Sequence, residues 1–120
     1  MIEIREIIGV ESLHAFYNDT PEALHIVLYD EDTVHSENCI YKNLEKLSES
    51  KLNGALVAVA DMTKSENEPL KDERDFHLFP SVEYTKDNKS YFRSLGHMSE
   101  NEFYKAIEDV ESGYYIPMEE

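Results

Sequence analysis

The chain has 120 residues, of which 41% are hydrophobic, so it is long enough to fold as one compact domain around a single core. Its 26 acidic and 11 basic residues give a formal net charge of -15, which disfavours nucleic acid and anionic membranes and favours a protein or peptide partner that carries positive charge. Because no apolar run is long enough to span a bilayer and the first residues do not resemble a signal peptide, we expect a cytoplasmic protein.

The first 30 residues predict two strands with a helix between them. Residues 2–8 alternate apolar with charged side chains, as in a half-buried strand. Residues 10–17 place apolar side chains on one helical face, and the segment 18–21, which contains Pro21, ends this helix. Residues 23–29 form a nearly continuous apolar run, which is typical of a strand covered on both faces.

The middle of the chain predicts a helix and another buried strand. After an acidic loop at 30–33, apolar side chains recur every three or four residues between 36 and 48, which predicts an amphipathic helix. Residues 55–60 are again apolar throughout and predict a strand covered on both faces. A short helix is expected to begin at Leu70, in a polar and charged region.

The last third of the chain predicts a hairpin and a final helix. Segments 81–85 and 90–95 flank the polar turn 86–89, which indicates a β-hairpin. The capping box at 99–102, with a serine followed three residues later by a glutamate, opens a helix that Gly113 ends.

The order of these elements predicts one α/β domain. Because helices separate the first strands, these strands should be parallel and joined by right-handed crossovers, whereas the hairpin adds antiparallel edge strands. We therefore expect a central mixed sheet of four to five strands flanked by helices, followed by a C-terminal hairpin and helix. The domain spans 1–120, with its core at about 2–112 and a tail at 113–120.

Several residues in this order resemble thioredoxin-like proteins in a single register. Pro80 and the strand after it resemble the segment around the family's cis-proline, and the turn 86–89 resembles its Lys-Asn-Gly-type turn. Gly96 stands where the family has the glycine that closes the last strand. Counting back from Pro80 in the same register, Cys39 takes the place of the second cysteine of the family's Cys-x-x-Cys motif. The resemblance covers about 24–110 and implies a thioredoxin-like fold.

The motif itself departs from the family, because the segment Ser36-Glu37-Asn38-Cys39 stands in place of Cys-x-x-Cys. Ser36 occupies the position of the nucleophilic cysteine, and a serine hydroxyl is too weak an acid to attack a disulfide without a dedicated base. The resemblance also places Asp30 at the family's buried carboxylate, although its acidic neighbours favour a wetter loop. Dithiol oxidoreductase activity is therefore not expected.

Cys39 is the single cysteine, which excludes an intrachain disulfide and a cysteine-rich zinc site. His35 lies four residues before it, but two side chains do not make a zinc site, so we predict neither a metal nor a cofactor. Two interpretations of Cys39 stay open. It is either a small apolar residue packed beneath the loop, or a monothiol that forms a mixed disulfide with glutathione or a client protein.

The resemblance also implies a groove beside the proline in which an extended peptide pairs as a strand does. Its predicted members are His35, Ser36, Glu37, Asn38, Phe79 and Pro80. A cis-proline is also commonly architectural, so Pro80 can serve the fold and the groove together. We predict a non-catalytic binding or accessory module that uses this groove. The alternatives are a monothiol redox protein acting through Cys39 and a dimerising subunit that uses the hairpin edge.

Overall fold

The computed structural model describes residues 3–31, 39–76 and 78–118. In these ranges the strands are β1 (Ile4–Ile7), β2 (His25–Asp30), β3 (Leu56–Asp61), β4 (Ser81–Lys86) and β5 (Lys89–Leu95). They form one sheet in the order β1-β3-β2-β4-β5, with β1, β3 and β2 parallel and with β4 antiparallel to β2 and β5. The predicted mixed sheet is confirmed. The expectation that both hairpin strands are edge strands is wrong, because β4 lies inside the sheet and, of the two, β5 is at its edge.

Helices cover both faces of the sheet. They are α1 (Val10–Asp19), α2 (Glu49–Leu52), α3 (Leu70–Arg74) and α4 (Glu100–Glu111). Short 3₁₀ turns occupy Ile40–Lys42, Leu44–Lys46 and Ser65–Asn67. No helix in the described ranges is long and apolar enough to cross a membrane.

The prediction of an amphipathic helix over 36–48 is wrong for the described residues 39–48, where two 3₁₀ turns stand in its place. Cys39 has an extended backbone, with φ -74° and ψ 140°, and pairs as an isolated antiparallel bridge with Ser99. Leu47 is extended as well, with φ -60° and ψ 137°. Pairing with a distant segment therefore overrides the local helical pattern. Ile40, one of the apolar residues in that pattern, is nevertheless buried in the core.

The hairpin and the last helix form as predicted. The two turn residues Asp87 and Asn88 both have positive φ, 53° and 62°, as a two-residue type I′ turn requires. At the start of α4, Ser99 Oγ accepts a hydrogen bond from Glu102 N at 3.2 Å, and Ser99 N donates to Glu102 Oε1 at 3.1 Å. This reciprocal pair is the predicted capping box.

The two faces of the sheet have separate cores. Beneath α4 and the turns after Cys39, the buried side chains are apolar or aromatic, among them Leu28, Val82, Tyr84, Phe103 and Ile107. Beneath α1 and α3 lies a second cluster that includes Leu13, Phe16, Tyr29, Leu70 and Phe76. Because successive strand residues point to opposite faces, β4 sends Val82 and Tyr84 to the first core and Glu83 to the second side.

Candidate functional site

Cys39 lies just after the undescribed segment 32–38, at the carboxyl end of β2, and its side chain is 1% exposed. Besides the bridge from Cys39 to Ser99, the backbone N–H of Ile40 donates to the carbonyl of Met98 at 2.6 Å. The thiol is thus enclosed by the segment that connects β5 to α4. The predicted groove residues His35, Ser36, Glu37 and Asn38 lie outside the described residues.

The thiol of Cys39 has an imidazole partner that the sequence analysis missed. Its Sγ atom lies 3.2 Å from Nδ1 of His97, and the direction of this hydrogen bond depends on the histidine tautomer. The side chain of His97 is exposed, so it connects the buried sulfur to the surface. The two residues are 58 positions apart, which hides the pair from any local motif. The sequence did offer one signal for this pair, because His97 directly follows Gly96, which the resemblance places at the end of the last strand.

Pro80 and the segment around Gly96 lie side by side. The Phe79–Pro80 peptide bond is cis, and the backbone N–H of Gly96 donates to the carbonyl of Pro80 at 2.8 Å. Because His97 follows Gly96, this hydrogen bond brings the thiol–imidazole pair and the proline to one end of the sheet. Of the predicted groove members, the structure therefore places Phe79 and Pro80 at the same end as Cys39.

Two large apolar side chains on the loop and on β5 are exposed beside Pro80. Leu78 is 63% exposed and precedes the proline by two residues. Leu95 is 59% exposed and pairs with Ser81, the residue directly after the proline. With the partly buried Phe79, these residues all lie within two positions of Pro80, along the chain or across the β4–β5 ladder, and we call them the apolar rim (Leu78, Phe79 and Leu95).

Tyr41 holds the strand ends that meet at this site. Its hydroxyl lies 3.0 Å from the carbonyl oxygen of Tyr29 and 2.9 Å from that of Ser81, so one donor spans the end of β2 and the start of β4. Burial raises the pKa of the Tyr41 phenol above its ordinary value, and the negative charge of Asp30 adds to this effect. Asp30 itself is partly exposed at the end of β2, so the predicted carboxylate is at the site but is not enclosed.

A buried ion-pair triad lies behind the loop that leads to Pro80, and the sequence analysis missed it. Glu83 is 0% exposed, and its two carboxylate oxygens accept hydrogen bonds of 2.9 Å from Nε and Nη2 of Arg74. Arg93 Nε donates to Glu83 Oε2, also at 2.9 Å. Burial would lower the pKa of Arg74, but the hydrogen bonds and charge of Glu83 raise it above its ordinary value. The guanidinium therefore stays charged, as the triad requires.

The described residues contain no group of three or more His, Cys, Asp or Glu side chains placed to hold a metal ion. In this part of the chain, the site has a buried thiol, an exposed imidazole and the apolar rim. The thiol–imidazole pair can transfer a proton, and the apolar rim can contact an apolar segment.

No protein-family model matches the sequence, and no curated protein matches it either. Solved structures do match the fold. The thioredoxin of Fasciola hepatica is 18% identical with a TM-score of 0.73, covering 88% of this chain and 97% of its own. Oxidised thioredoxin from Plasmodium falciparum is 14% identical with a TM-score of 0.71, covering 90% of this chain and 98% of its own. A mutant thioredoxin from Halobacterium salinarum is 17% identical with a TM-score of 0.69, covering 89% of each chain.

These matches confirm that the chain has a thioredoxin-like fold. Its single cysteine fits a degenerate form of the active site that the resemblance describes, because Cys-x-x-Cys chemistry needs two thiols.

Proposed function

We propose that the protein is a non-catalytic binding or accessory module that holds an extended, basic protein segment beside Pro80. The observation that carries this proposal is the apolar rim, in which Leu78 and Leu95 are 63% and 59% exposed. Exposed apolar side chains clustered around one backbone segment are typical of interaction sites.

The state of the thiol supports a binding role. Dithiol exchange needs one thiolate to attack a partner disulfide and a second thiol to release the product. This chain has one cysteine, and its side chain is 1% exposed. A partner segment docked beside Pro80 therefore meets the apolar rim and the imidazole of His97 before it meets any sulfur.

Charge favours a basic partner. The formal net charge is -15, and the exposed Glu31 and Asp75 stand on the two chain segments that reach the site from β2 and α3. Long-range attraction raises the association rate of a cationic segment, and the apolar rim then supplies contact area. The expected ligand is an extended segment with at least one large apolar side chain flanked by Lys or Arg.

The proposal is tested with an array of synthetic twelve-residue peptides, half with apolar residues flanked by Lys and half with the same apolar residues flanked by Glu. Selected peptides are then labelled and their affinity is measured by fluorescence anisotropy. We expect only Lys-flanked apolar peptides to bind and Leu95→Asp to weaken binding at least tenfold. Ile8→Asp is the matched control, because Ile8 is 43% exposed but directly follows β1, at the opposite edge of the sheet from β5. Equal binding by both peptide halves, or equal loss with both variants, overturns the proposal.

A second function is favoured by one contact, the 3.2 Å distance between Cys39 Sγ and His97 Nδ1. In a monothiol redox protein, the thiol would pass its proton to His97 and the resulting thiolate would attack glutathione disulfide. A new S–S bond forms between Cys39 and one glutathione, the original S–S bond breaks, and the departing glutathione thiolate takes the proton from His97.

Intact-mass analysis after incubation with glutathione disulfide separates the two functions. The monothiol function requires that the native protein form the adduct faster than the urea-unfolded protein and that His97→Ala slow the native reaction. The binding function requires that the adduct form only after unfolding. His14→Ala is the matched control, since that histidine pairs with Glu73 on the α1 side of the molecule.

A further inference from the structure

The ion-pair triad of Glu83, Arg74 and Arg93 joins α3, β4 and β5, the elements that flank the apolar rim. Arg74 is the last residue of α3, and Glu83 is the third residue of β4. Two parallel hydrogen bonds of 2.9 Å therefore hold the end of α3 against the start of β4, on either side of the connection to Pro80. A fork-to-carboxylate pair fixes direction as well as distance, so it holds the loop ends at one separation and one angle.

Arg93, the third member of the triad, contacts Phe76, the second residue after α3. The guanidinium carbon of Arg93 lies 4.6 Å from the centroid of the Phe76 ring while its Nε binds Glu83. On the other side, the ring of Phe76 lies 4.8 Å from that of Tyr29 on β2, and the ring of Phe79 lies 6.4 Å from it. The triad therefore contacts Phe76 directly, and Phe76 and Phe79 both pack against the ring of Tyr29.

Stability alone is a poor explanation for such a triad. Removing a carboxylate from water is costly, and replacing a buried ion pair with apolar side chains of similar volume is often neutral or stabilising. Glu83 is 0% exposed at an interior position of β4, where the neighbouring residues Val82 and Tyr84 are packed in the opposite core. The property that an apolar replacement lacks is directional hydrogen bonding at the loop ends.

We propose that Glu83, Arg74 and Arg93 form a positioning device that fixes Phe76, Phe79 and Pro80 against the sheet and so preforms the apolar rim for its ligand. This inference deepens the proposed function and rests on it for the ligand, but the loop itself can be tested without one. The three residues position Phe79 and Pro80, and they do not contact the ligand.

The test is a triple variant, Arg74→Met with Glu83→Leu and Arg93→Met, which fills the same space without directional hydrogen bonds. We expect a urea unfolding midpoint equal to or above that of the wild type. We also expect amide hydrogen exchange at Phe76, whose N–H donates to the carbonyl of Lys71 at 3.0 Å, to accelerate at least tenfold while exchange in α4 stays unchanged. A merely structural triad changes exchange in the loop and in α4 together, through global unfolding. Wild-type exchange in the loop overturns the proposal.

Arg74→Lys keeps the test valid if the triple variant does not fold. It retains the positive charge but replaces the planar fork with a point donor. We expect faster exchange at Phe76, with exchange in α4 unchanged, and the exposed substitution Lys105→Arg serves as its control. Unchanged exchange at Phe76 in Arg74→Lys also overturns the proposal.

The failure of this inference is distinguishable from that of the proposed function. If no array peptide binds but the loop loosens in the variants, the triad positions the loop and the binding function is wrong. If peptides bind the wild type and the triple variant equally and loop exchange is unchanged, the binding function stands and the positioning role is wrong.

Discussion

The two faces of the sheet are built from different chemistry. The face beneath α4 buries apolar and aromatic side chains, including Phe103 and Ile107, with the hydroxyl of Tyr84 donating to the carbonyl of Phe103 at 3.0 Å. The face beneath α1 and α3 also buries the carboxylate of Glu83, the imidazole of His25 and the hydroxyl of Thr85. We infer that the first face supplies most of the stability and that the second fixes the geometry of the loop before Pro80.

The second face keeps a polar atom that adds little to stability. Within the described part of the chain, the buried hydroxyl of Ser81 has no partner at hydrogen-bond distance. A buried polar group without a partner costs about 1–3 kcal/mol. This face therefore contains a group whose replacement by apolar atoms should be tolerated, which makes the comparison between the two faces testable.

The largest effect is expected on the apolar face. Phe103→Ala removes a ring that is 0% exposed and leaves a cavity against Tyr84, so it should lower the free energy of unfolding by about 3–5 kcal/mol. Urea denaturation followed by circular dichroism measures this. The control Leu95→Ala, at a position 59% exposed, should change it by less than about 0.5 kcal/mol. A loss near 1 kcal/mol in Phe103→Ala would contradict the assignment of stability to this face.

An alkaline titration probes the polar face. Burial, with the charge of Glu83 adding to it, raises the pKa of Tyr17 to about 12. Because this pKa is raised in the folded state, the stabilisation is complete below pH 10 and is lost as the pH rises through 10 towards 12. Tyr17→Phe removes this loss, so its stability relative to the wild type should increase by about 2 kcal/mol between pH 10 and pH 12.

Urea midpoints at a series of pH values test this, with Tyr114→Phe as the control because Tyr114 is 75% exposed. Parallel pH curves for the wild type and Tyr17→Phe would show that the phenol of Tyr17 ionises as easily in the folded chain as in the unfolded one.

The capping box of α4 should have a smaller effect. Ser99→Ala removes the acceptor for Glu102 N and should cost about 1 kcal/mol. The hydrogen bonds from the backbone N–H and side chain of Ser99 lower the pKa of Glu102. Their stabilisation is therefore complete at pH values above the ordinary pKa of a glutamate, and it is lost as the pH falls through the lowered pKa of the folded protein. Ser99→Ala removes the side-chain hydrogen bond but keeps the larger backbone one, so an NMR titration should show the pKa of Glu102 moving only partly upward. An unchanged stability together with an unchanged pKa would contradict the capping box.

The smallest effect is expected for the surface pair of Arg5 and Asp19, whose side chains are 40% and 53% exposed. The hydrogen bond from Arg5 to Asp19 raises the pKa of the guanidinium, but an exposed pair contributes little in water. Asp19→Asn should change the free energy of unfolding by less than about 0.5 kcal/mol, and the change should vanish in 1 M salt. A larger effect that persists in salt would mean that this end of α1 is held by more than solvent-exposed charges.

Most of the sheet could be predicted from the sequence because its signals are local. The continuous apolar runs that become β2 and β3 identify strands covered on both faces, and the polar turn at 86–89 identifies the hairpin. Alternation of helices and strands then determines which strands are parallel. The resemblance of Pro80 and Gly96 to the thioredoxin-like pattern predicted the end of the sheet at which the site lies.

The misses are long-range contacts that override local patterns. Glu83 alternates with Val82 and Tyr84, a pattern that is typical of a strand with one solvated face, and nothing near it in sequence indicates two arginines that cover that face. His97 is paired with a thiol from the other half of the chain. The helix predicted over 36–48 fails for the same reason, since a bridge from Cys39 to Ser99 extends the backbone where a helix was expected.

The C-terminal tail has a consequence for how the protein behaves in concentrated solution. The ring of Tyr115 stacks on Phe92 at 4.5 Å, and the backbone N–H of Met118 donates to the carbonyl of Ser90 at 2.7 Å, so the tail runs beside the outer strand β5. An uncovered outer strand is a template for pairing with strands of other molecules. Variants of the chain that end before Tyr115 should therefore aggregate on heating at concentrations where the full chain remains in solution.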